Sequence, residues 1–187
     1  MPQDLLGLAG RTALVTGAGQ GGGRGIALAF ARAGAAVAVC DLEGERAEAV
    51  ASEVRALGVP ALALTADVRD EAAVAGMIDA ATASLGIIDV LVNNVGNYGA
   101  HAPGPVTEIG WDFWQTAIDL NLRSTFLCSQ AFARVHPGPD REGAIVNVAS
   151  LSGVRARPAK RPTAPPRLPS SISRRASPSS SRPGASA

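Results

Sequence analysis

Residues 13–23 read ALVTGAGQGGG, a short apolar run followed by a cluster of glycines. The run predicts a buried strand ending at Thr16, and the alanine-rich residues 26–33 predict a helix that ends at Gly34. Glycines between a strand and a helix let the backbone turn tightly and approach a phosphate, which the positive end of the helix attracts. A flexible turn and a methyltransferase cofactor loop share this pattern, so the glycine turn alone does not distinguish these alternatives from a phosphate-binding turn.

The rest of the chain continues the alternation of strands and helices. The predicted strands are 36–40, 61–65, 89–93 and 144–150, and the predicted helices are 45–57, 71–85 and 107–135. Each strand is almost wholly apolar, which requires a sheet covered on both faces, and right-handed crossovers then give a Rossmann-like, doubly wound α/β fold with five parallel strands. Ligands of such folds bind at the carboxyl ends of the strands, so the residues just after each apolar run are the candidates.

Asp41 is the first of these candidates. It ends the second strand, 24 residues after Gly17, close to the roughly 20 of a dinucleotide-binding fold. A carboxylate there accepts hydrogen bonds from both hydroxyls of a ribose, and it repels a 2′-phosphate by about 1–4 kcal/mol at contact distance. Asp41 therefore favours NAD over NADP. The alternative interpretation is a solvated acid at the end of a strand.

Five motifs, in this order along the chain, resemble the short-chain dehydrogenase/reductase family. They are Thr16-Gly17-x-x-x-Gly21-x-Gly23, Asp67-Val68, Asn93-Asn94-Val95-Gly96, Asn121 and Ser150. The resemblance implies a cofactor site formed by Gly17, Gly19, Gln20, Gly21, Gly23, Asp41, Asp67, Val68, Asn93, Asn94 and Gly96. It implies catalytic roles for Asn121 and Ser150. The two cysteines of the chain form no metal cluster, so no metal site is predicted. A methyltransferase explains neither the paired asparagines nor Asn121.

The resemblance also implies a chemistry, in which hydride moves between the nicotinamide cofactor and a secondary alcohol or ketone. A tyrosine exchanges the substrate's hydroxyl proton, and a lysine four residues later lowers the pKa of that tyrosine. Ser150 orients the substrate oxygen, and Asn121 anchors a water of the proton relay. A phenol has a pKa of about 10, so the tyrosine can act as a general base at neutral pH only if a nearby cation lowers that pKa.

This chain departs from the family where that tyrosine and lysine should stand. The expected tyrosine position, thirteen residues after Ser150, is Thr163, and the expected lysine position is Arg167. The chain's one tyrosine, Tyr98, and its one lysine, Lys160, fall elsewhere. We therefore expect an oxidoreductase of this family that is inactive as written. The alternative is an NAD-binding pseudoenzyme or a non-catalytic partner protein.

The composition changes near the same place. Residues 1–154 hold all sixteen acidic residues and nine basic ones, a net charge of −7, whereas residues 155–187 hold eight basic residues and no acid. This divides the chain into an NAD(P)-binding domain, 1–154, and a basic tail rich in Pro, Ser and Arg, 155–187, that we expect to be disordered. Codons compatible with residues 161–167 encode Ala-Tyr-Gly-Ala-Ser-Lys when read one base out of frame. The tail is therefore either the product of a frameshift, which leaves the domain truncated, or a genuine basic arm.

Composition excludes several other classes of protein. There is no run of about 18 apolar residues for a membrane span, and the first ten residues do not resemble a secretory signal. Cys40 and Cys128 form no disulfide framework, which indicates a cytoplasmic protein with reduced thiols. The tail lacks aromatic residues for stacking on bases, so nucleic acid is not an expected partner.

The missing segment should also affect solubility. Without it, strand 144–150 becomes an apolar sheet edge, which predicts poor solubility. The helix 107–135 carries aromatic residues that we interpret as a packing stripe, namely Trp111, Phe113, Trp114, Phe126 and Phe132. The resemblance implies that relatives form homo-oligomers through this helix, an expectation that we do not extend to this chain.

Overall fold

The computed structural model describes residues 6–97, 106–138 and 141–150. The basic tail, with the positions counted above for the missing tyrosine and lysine, lies outside these ranges, and so does Tyr98. The predicted domain boundary after residue 154 also falls outside them and stays a prediction.

Five parallel strands form one sheet in the order β3-β2-β1-β4-β5. The strands are β1 (Thr12–Thr16), β2 (Ala36–Asp41), β3 (Ala61–Thr65), β4 (Val90–Asn93) and β5 (Ala144–Asn147). The helices are α1 (Gly21–Arg32), α2 (Gly44–Ala56), α3 (Glu71–Leu85), α4 (Trp111–Ile118) and α5 (Ser124–Val135), with a π-helical turn over Asp119–Arg123. The strand order reverses between β1 and β4. The predicted Rossmann-like, doubly wound fold is confirmed.

Apolar side chains cover both faces of the sheet, as the apolar strands predicted. On one face, Val15 and Val39 pack with Val50 of α2 and with residues of α1. On the other face, Leu14 packs with Ile78 of α3 and with residues of α5. Neighbouring residues of β1 thus point into different layers of the core, as the period of two in a strand requires.

A buried carboxylate ties together the amino-terminal edge of the sheet. Asp89 is only 2% exposed and forms ion pairs with Arg11, at 2.9 Å, and with Arg141, at 2.6 Å. It also accepts a hydrogen bond of 2.9 Å from the backbone N–H of Thr12. Burial alone would raise the pKa of Asp89, but these donors outweigh it and lower the pKa. This network joins β1, β4 and the segment before β5, at the edge opposite the predicted site.

Several predicted element boundaries are wrong, among them the start of the long helix, which is Trp111 rather than residue 107. Helix α1 begins at Gly21 rather than at residue 26, and β5 ends at Asn147 rather than at residue 150. The predicted helix 107–135 is divided, because the N–H of Ser124 bonds to the carbonyl of Asp119 five residues back. The hydroxyl of Ser124 also donates to the carbonyl of Leu120, at 2.8 Å, a kind of side-chain bond that bends helices.

The predicted aromatic packing stripe is only partly buried. Phe132 lies in the core, but Trp111 is 72% exposed, Phe126 59% and Trp114 41%. Strand β5 is an edge of the sheet within the described part of the chain, and Val146 on it is 46% exposed. None of the described helices has the length and apolar character that a membrane crossing needs.

Candidate functional site

The glycine turn between β1 and α1 is packed so closely that a side chain does not fit at Gly23. A Cβ atom there would lie 2.2 Å from the carbonyl oxygen of Gly17 and 2.5 Å from Nδ2 of Asn94. Gly17 itself has a φ of 60°, a conformation that side chains rarely adopt. The two glycines let the turn fold directly onto β4's end, so their identity follows from close packing.

Asn94 braces this turn. Its Nδ2 donates hydrogen bonds of 3.0 Å to the carbonyl oxygens of Thr16 and Gly17. Its backbone N–H donates to the hydroxyl of Thr16 at 3.1 Å, and that hydroxyl donates to the carbonyl of Val92 at 3.3 Å. The asparagine therefore ties the glycine turn to β4, across the point where the strand order reverses.

Asp41 lies against the same turn. Its Oδ2 accepts a hydrogen bond of 2.8 Å from the N–H of Gly19, and its Oδ1 accepts one of 3.2 Å from the N–H of Glu43. A Cβ at Gly19 would lie 2.8 Å from the carboxylate carbon, so only glycine allows this approach. A carboxylate oxygen can accept two hydrogen bonds. Each oxygen of Asp41 therefore keeps capacity for a further donor.

An open cleft of about 520 Å³ lies at the carboxyl ends of β1 to β4. Seven of the predicted cofactor residues line it: Gly17, Gln20, Asp41, Asp67, Val68, Asn94 and Gly96. Eight lining residues were not among the predicted site residues: Cys40, Leu42, Ala66, Arg69, Val95, Asn97, Thr116 and Leu120. The structure thus brings together in one cavity the ends of four strands that are far apart along the chain.

The remaining predicted residues do not line the cleft. Gly19, Gly21 and Gly23 form the turn itself. Asn93, the last residue of β4, is 5% exposed and contacts β5 and α5. Its Nδ2 donates to Oγ of Ser129 at 3.0 Å and to Oδ1 of Asn147 at 2.8 Å, and its Oδ1 has no hydrogen-bond partner among the described residues.

Asp67 and Arg69 form an ion pair on the wall of the cleft. Nε of Arg69 donates to both carboxylate oxygens, at 2.9 and 3.0 Å, and Nη2 donates to Oδ2 at 2.5 Å. These hydrogen bonds lower the pKa of Asp67 despite its partial burial. Arg69 directly follows the Asp67-Val68 motif. An arginine two residues after an acid at the end of a strand can form paired hydrogen bonds with that acid, and this spacing could have identified Arg69 from the sequence.

The two predicted catalytic residues come from different elements. Asn121 lies in the π-helical turn, and its Nδ2 donates to the carbonyl of Asn97, at 2.7 Å, and to that of Ala117, at 2.8 Å. Because Asn97 lines the cleft, this bond ties the turn to the cleft wall. Ser150 is partly buried and lies three residues beyond β5, and the N–H of Val148 before it donates to the carbonyl of Asn93 at 2.9 Å.

A family profile described as short chain dehydrogenase matches residues 11–162. The chain belongs to the short-chain dehydrogenase family. The (2S)-[(R)-hydroxy(phenyl)methyl]succinyl-CoA dehydrogenase subunit BbsD of Thauera aromatica is 41% identical over 145 residues, which are 78% of this chain and 57% of that protein. The short chain dehydrogenase/reductase dpmpG of Macrophomina phaseolina is 42% identical over 147 residues, which are 76% of this chain and 82% of that protein.

Solved structures of short-chain dehydrogenases share the fold. One is a 7α-hydroxysteroid dehydrogenase complexed with NADH and 7-oxo glycochenodeoxycholic acid, with a TM-score of 0.75 and 34% identity over 84% of this chain. Another is a Burkholderia cenocepacia short chain dehydrogenase in complex with NADP, with a TM-score of 0.73 and 37% identity over 81% of this chain. This chain covers 60% of each of those two chains.

Proposed function

We propose that this short-chain dehydrogenase binds a nicotinamide dinucleotide in the cleft, NAD in preference to NADP, and that this chain does not turn over substrate. The observation that carries the proposal is Asp41, which ends β2, lines the cleft and hydrogen-bonds to the glycine turn. Its position fits the two hydroxyls of a ribose. A 2′-phosphate there meets a repulsion of about 1–4 kcal/mol, which predicts at least about fivefold weaker binding of NADP.

The other lining residues fit the rest of the dinucleotide. The glycine turn leaves room for a pyrophosphate at the start of α1, where backbone N–H groups and the helix dipole attract an anion. Asp67 and Val68 line the cleft beside the end of β3, where the family resemblance expects the adenine. Complexes of two solved relatives with NADH and with NADP support a nicotinamide cofactor.

In relatives of this family the cofactor exchanges hydride with a secondary alcohol or ketone. By the family's pattern, Ser150 holds the substrate oxygen, and Asn121 holds a water that passes on the proton. In this sequence, Thr163 and Arg167 stand where the family has its tyrosine and lysine. A threonine hydroxyl is a far weaker acid than a phenol and cannot replace it as the proton carrier. The chain is therefore a nucleotide-binding protein without a complete proton relay.

The test is calorimetric titration of the full chain with NAD and with NADP, alongside Asp41→Asn. As a matched control, Asp79→Asn removes an exposed carboxylate of α3 that does not line the cleft. We expect NAD to bind at one site, NADP to bind at least about fivefold more weakly, and Asp41→Asn alone to narrow that gap. Equal affinity for both nucleotides would remove the NAD preference, and no binding of either would refute the proposal.

The absence of turnover is tested by incubating the chain with NAD and each of a panel of secondary alcohols and following the absorbance of NADH. We expect no alcohol-dependent formation of NADH above the background without protein. A reproducible rate that depends on the protein concentration would show that the chain is an active enzyme.

A further inference from the structure

The outer face of α4 and α5 carries large apolar side chains that the described part of the chain leaves exposed. They are Trp111 at 72% exposure, Phe126 at 59%, Leu122 at 43% and Trp114 at 41%. Together with the half-buried Ile118 between them, they recur every three or four residues, so they form one stripe along the helix surface. A contiguous apolar patch that is exposed in this way marks a site of interaction.

The same stretch of chain is acidic. Residues 106–122 hold three acids, Glu108, Asp112 and Asp119, and no basic residue. Asp119 pairs with Arg123 at 4.0 Å, whereas Glu108 and Asp112 are exposed and form no ion pair with another described residue. Indole rings also attract cations to their faces. The stripe and its acids therefore suit a partner that is both cationic and partly apolar.

The chain has a segment of that chemistry in its basic tail, outside the described residues. Residues 161–169 read RPTAPPRLP, with prolines at 162, 165, 166 and 169. A polyproline II helix has three residues per turn, so in that conformation this spacing places the prolines along two edges and both Arg161 and Arg167 along the third. Aromatic-lined grooves bind proline-rich segments in this conformation.

The tail leaves the domain at the edge of the sheet where α4 lies. Thr116 of α4 lines the cleft at the carboxyl ends of the strands, and Ser150, the last described residue, follows the carboxyl end of β5. Arg161 comes eleven residues later, and an extended chain of that length spans about 36 Å. A domain of this size has a radius of gyration of about 15 Å, so the segment can reach the face.

We propose that residues 161–169 dock on the exposed face of α4 and α5 of their own chain, running from α4 towards α5. The lengths match, because the helix rises about 22 Å from Trp111 to Phe126 and nine residues of polyproline II span about 28 Å. Arg161 then lies over the tryptophans and beside the free acids, and the prolines cover the rest of the stripe. This inference does not rest on nucleotide binding.

Charge favours the tail over a second copy of the domain as the occupant. A symmetric contact of this face with itself brings the same patch from both copies, and residues 106–122 would then bring three acids from each. The tail instead brings eight basic residues and no acid.

The experiment uses the tryptophan fluorescence of the full chain, whose two tryptophans are Trp111 and Trp114. Quenching by acrylamide therefore reports how far the proposed docking face is covered. The variants are Arg161→Gln and the double variant Pro165→Ala/Pro166→Ala. The matched controls, Arg174→Gln and Pro178→Ala/Pro183→Ala, make the same changes elsewhere in the tail. Circular dichroism monitors the fold of every variant, and light scattering gives its mass.

For Arg161→Gln we expect the docking equilibrium to fall about two- to fivefold, as for the loss of one exposed cation–π contact, and the quenching constant to rise with it. The proline variant should act in the same direction, because alanine makes the free segment more flexible. The controls should quench like the unaltered chain. At 1 M salt, which screens exposed charges, quenching of the unaltered chain should rise more than that of Arg161→Gln.

Three results would overturn the inference. Equal quenching in the variants and their controls would exclude docking of this segment. A covered face in a particle of dimeric mass, unaffected by the tail variants, would show that a second copy is the occupant. Coverage that responds to Arg161→Gln but increases with protein concentration would show that the tail docks on another chain rather than on its own.

Discussion

Replacing Gly23 by alanine should destabilise the protein, although the same change at Gly25 should stabilise it. Both glycines lie in the first turns of α1, so alanine gives each position the same gain in helix propensity, about 1 kcal/mol. The difference lies in their surroundings. A Cβ at Gly25 meets no atom within 4 Å, whereas one at Gly23 meets the carbonyl oxygen of Gly17 at 2.2 Å and Cα of Ala18 at 2.9 Å.

The magnitude follows from those contacts. Gly17 and Ala18 present backbone atoms, which cannot rotate away as a flexible side chain could. Relief requires the glycine turn to move away from α1, and overpacking of this kind costs about 1–3 kcal/mol. Because the helix gain is common to both variants, the free energy of unfolding of Gly23→Ala should lie about 1–3 kcal/mol below that of Gly25→Ala.

Urea unfolding followed by circular dichroism measures this difference directly. We expect the midpoint of Gly25→Ala to lie above that of the unaltered chain and the midpoint of Gly23→Ala to lie clearly below that of Gly25→Ala. Coincident midpoints for the two variants would refute the close packing of the turn, and with it the structural reason for a glycine at position 23.

Three further predictions concern the edge network, the exposed strand and the thiols. Arg141→Ala should cost about 1.5–3 kcal/mol at pH 7, measured by urea unfolding. Because folding lowers the pKa of Asp89, its ion pairs stabilise the folded state fully above the unfolded pKa of about 3.9, and this stabilisation is lost as the pH falls through the folded pKa. A free energy of unfolding that does not change below pH 4 would contradict this. Val146→Lys should reduce light scattering of concentrated samples, because a charge on an exposed edge strand opposes pairing, and unchanged scattering would argue against edge pairing. Burial raises the pKa of Cys40 and Cys128 to about 12, so a thiol reagent at pH 8 should label them only as fast as the protein opens, whereas labelling within seconds would exclude this burial.

The sequence predicted the order of strands and helices because its apolar runs are separated by clear stops. Gly34, Gly58 and Gly86 each follow a helix and adopt positive φ values of 87°, 87° and 81°. Because of these stops, the fold class can be predicted from the sequence alone. The start of α1 could not be predicted, because glycines argue against a helix and only the structure shows that Gly23 packs against the carbonyl oxygen of Gly17.

The site was predictable where a residue follows a strand and hidden where the geometry depends on tertiary contacts. Asp41 and Asp67 each stand at or just after a strand end, and both line the cleft. The role of Asn94 as a brace depends on Thr16 and Gly17, which are distant along the chain. The π-helical turn around Asn121 could not be predicted, because a single wider turn cannot be recognised in the helical spacing of the sequence.

The exposed aromatic side chains show a different limit. A stripe of large apolar residues in a helix usually packs into the core, and Phe132 does. Trp111, Trp114 and Phe126 do not, although their types and spacing are similar. An apolar stripe predicts that a helix face packs against another surface. Only the structure shows whether the described part of the chain provides that surface.

Hydrogen exchange of the full chain with and without saturating NAD tests the central claim most directly. We predict that NAD slows exchange in the segments that surround the cleft: 17–23, 41–43, 66–69 and 94–97. Exchange around Asp89, at the opposite edge of the sheet, should not change. Slowed exchange at that edge instead, or no slowing in the glycine turn, would contradict a dinucleotide site in this cleft.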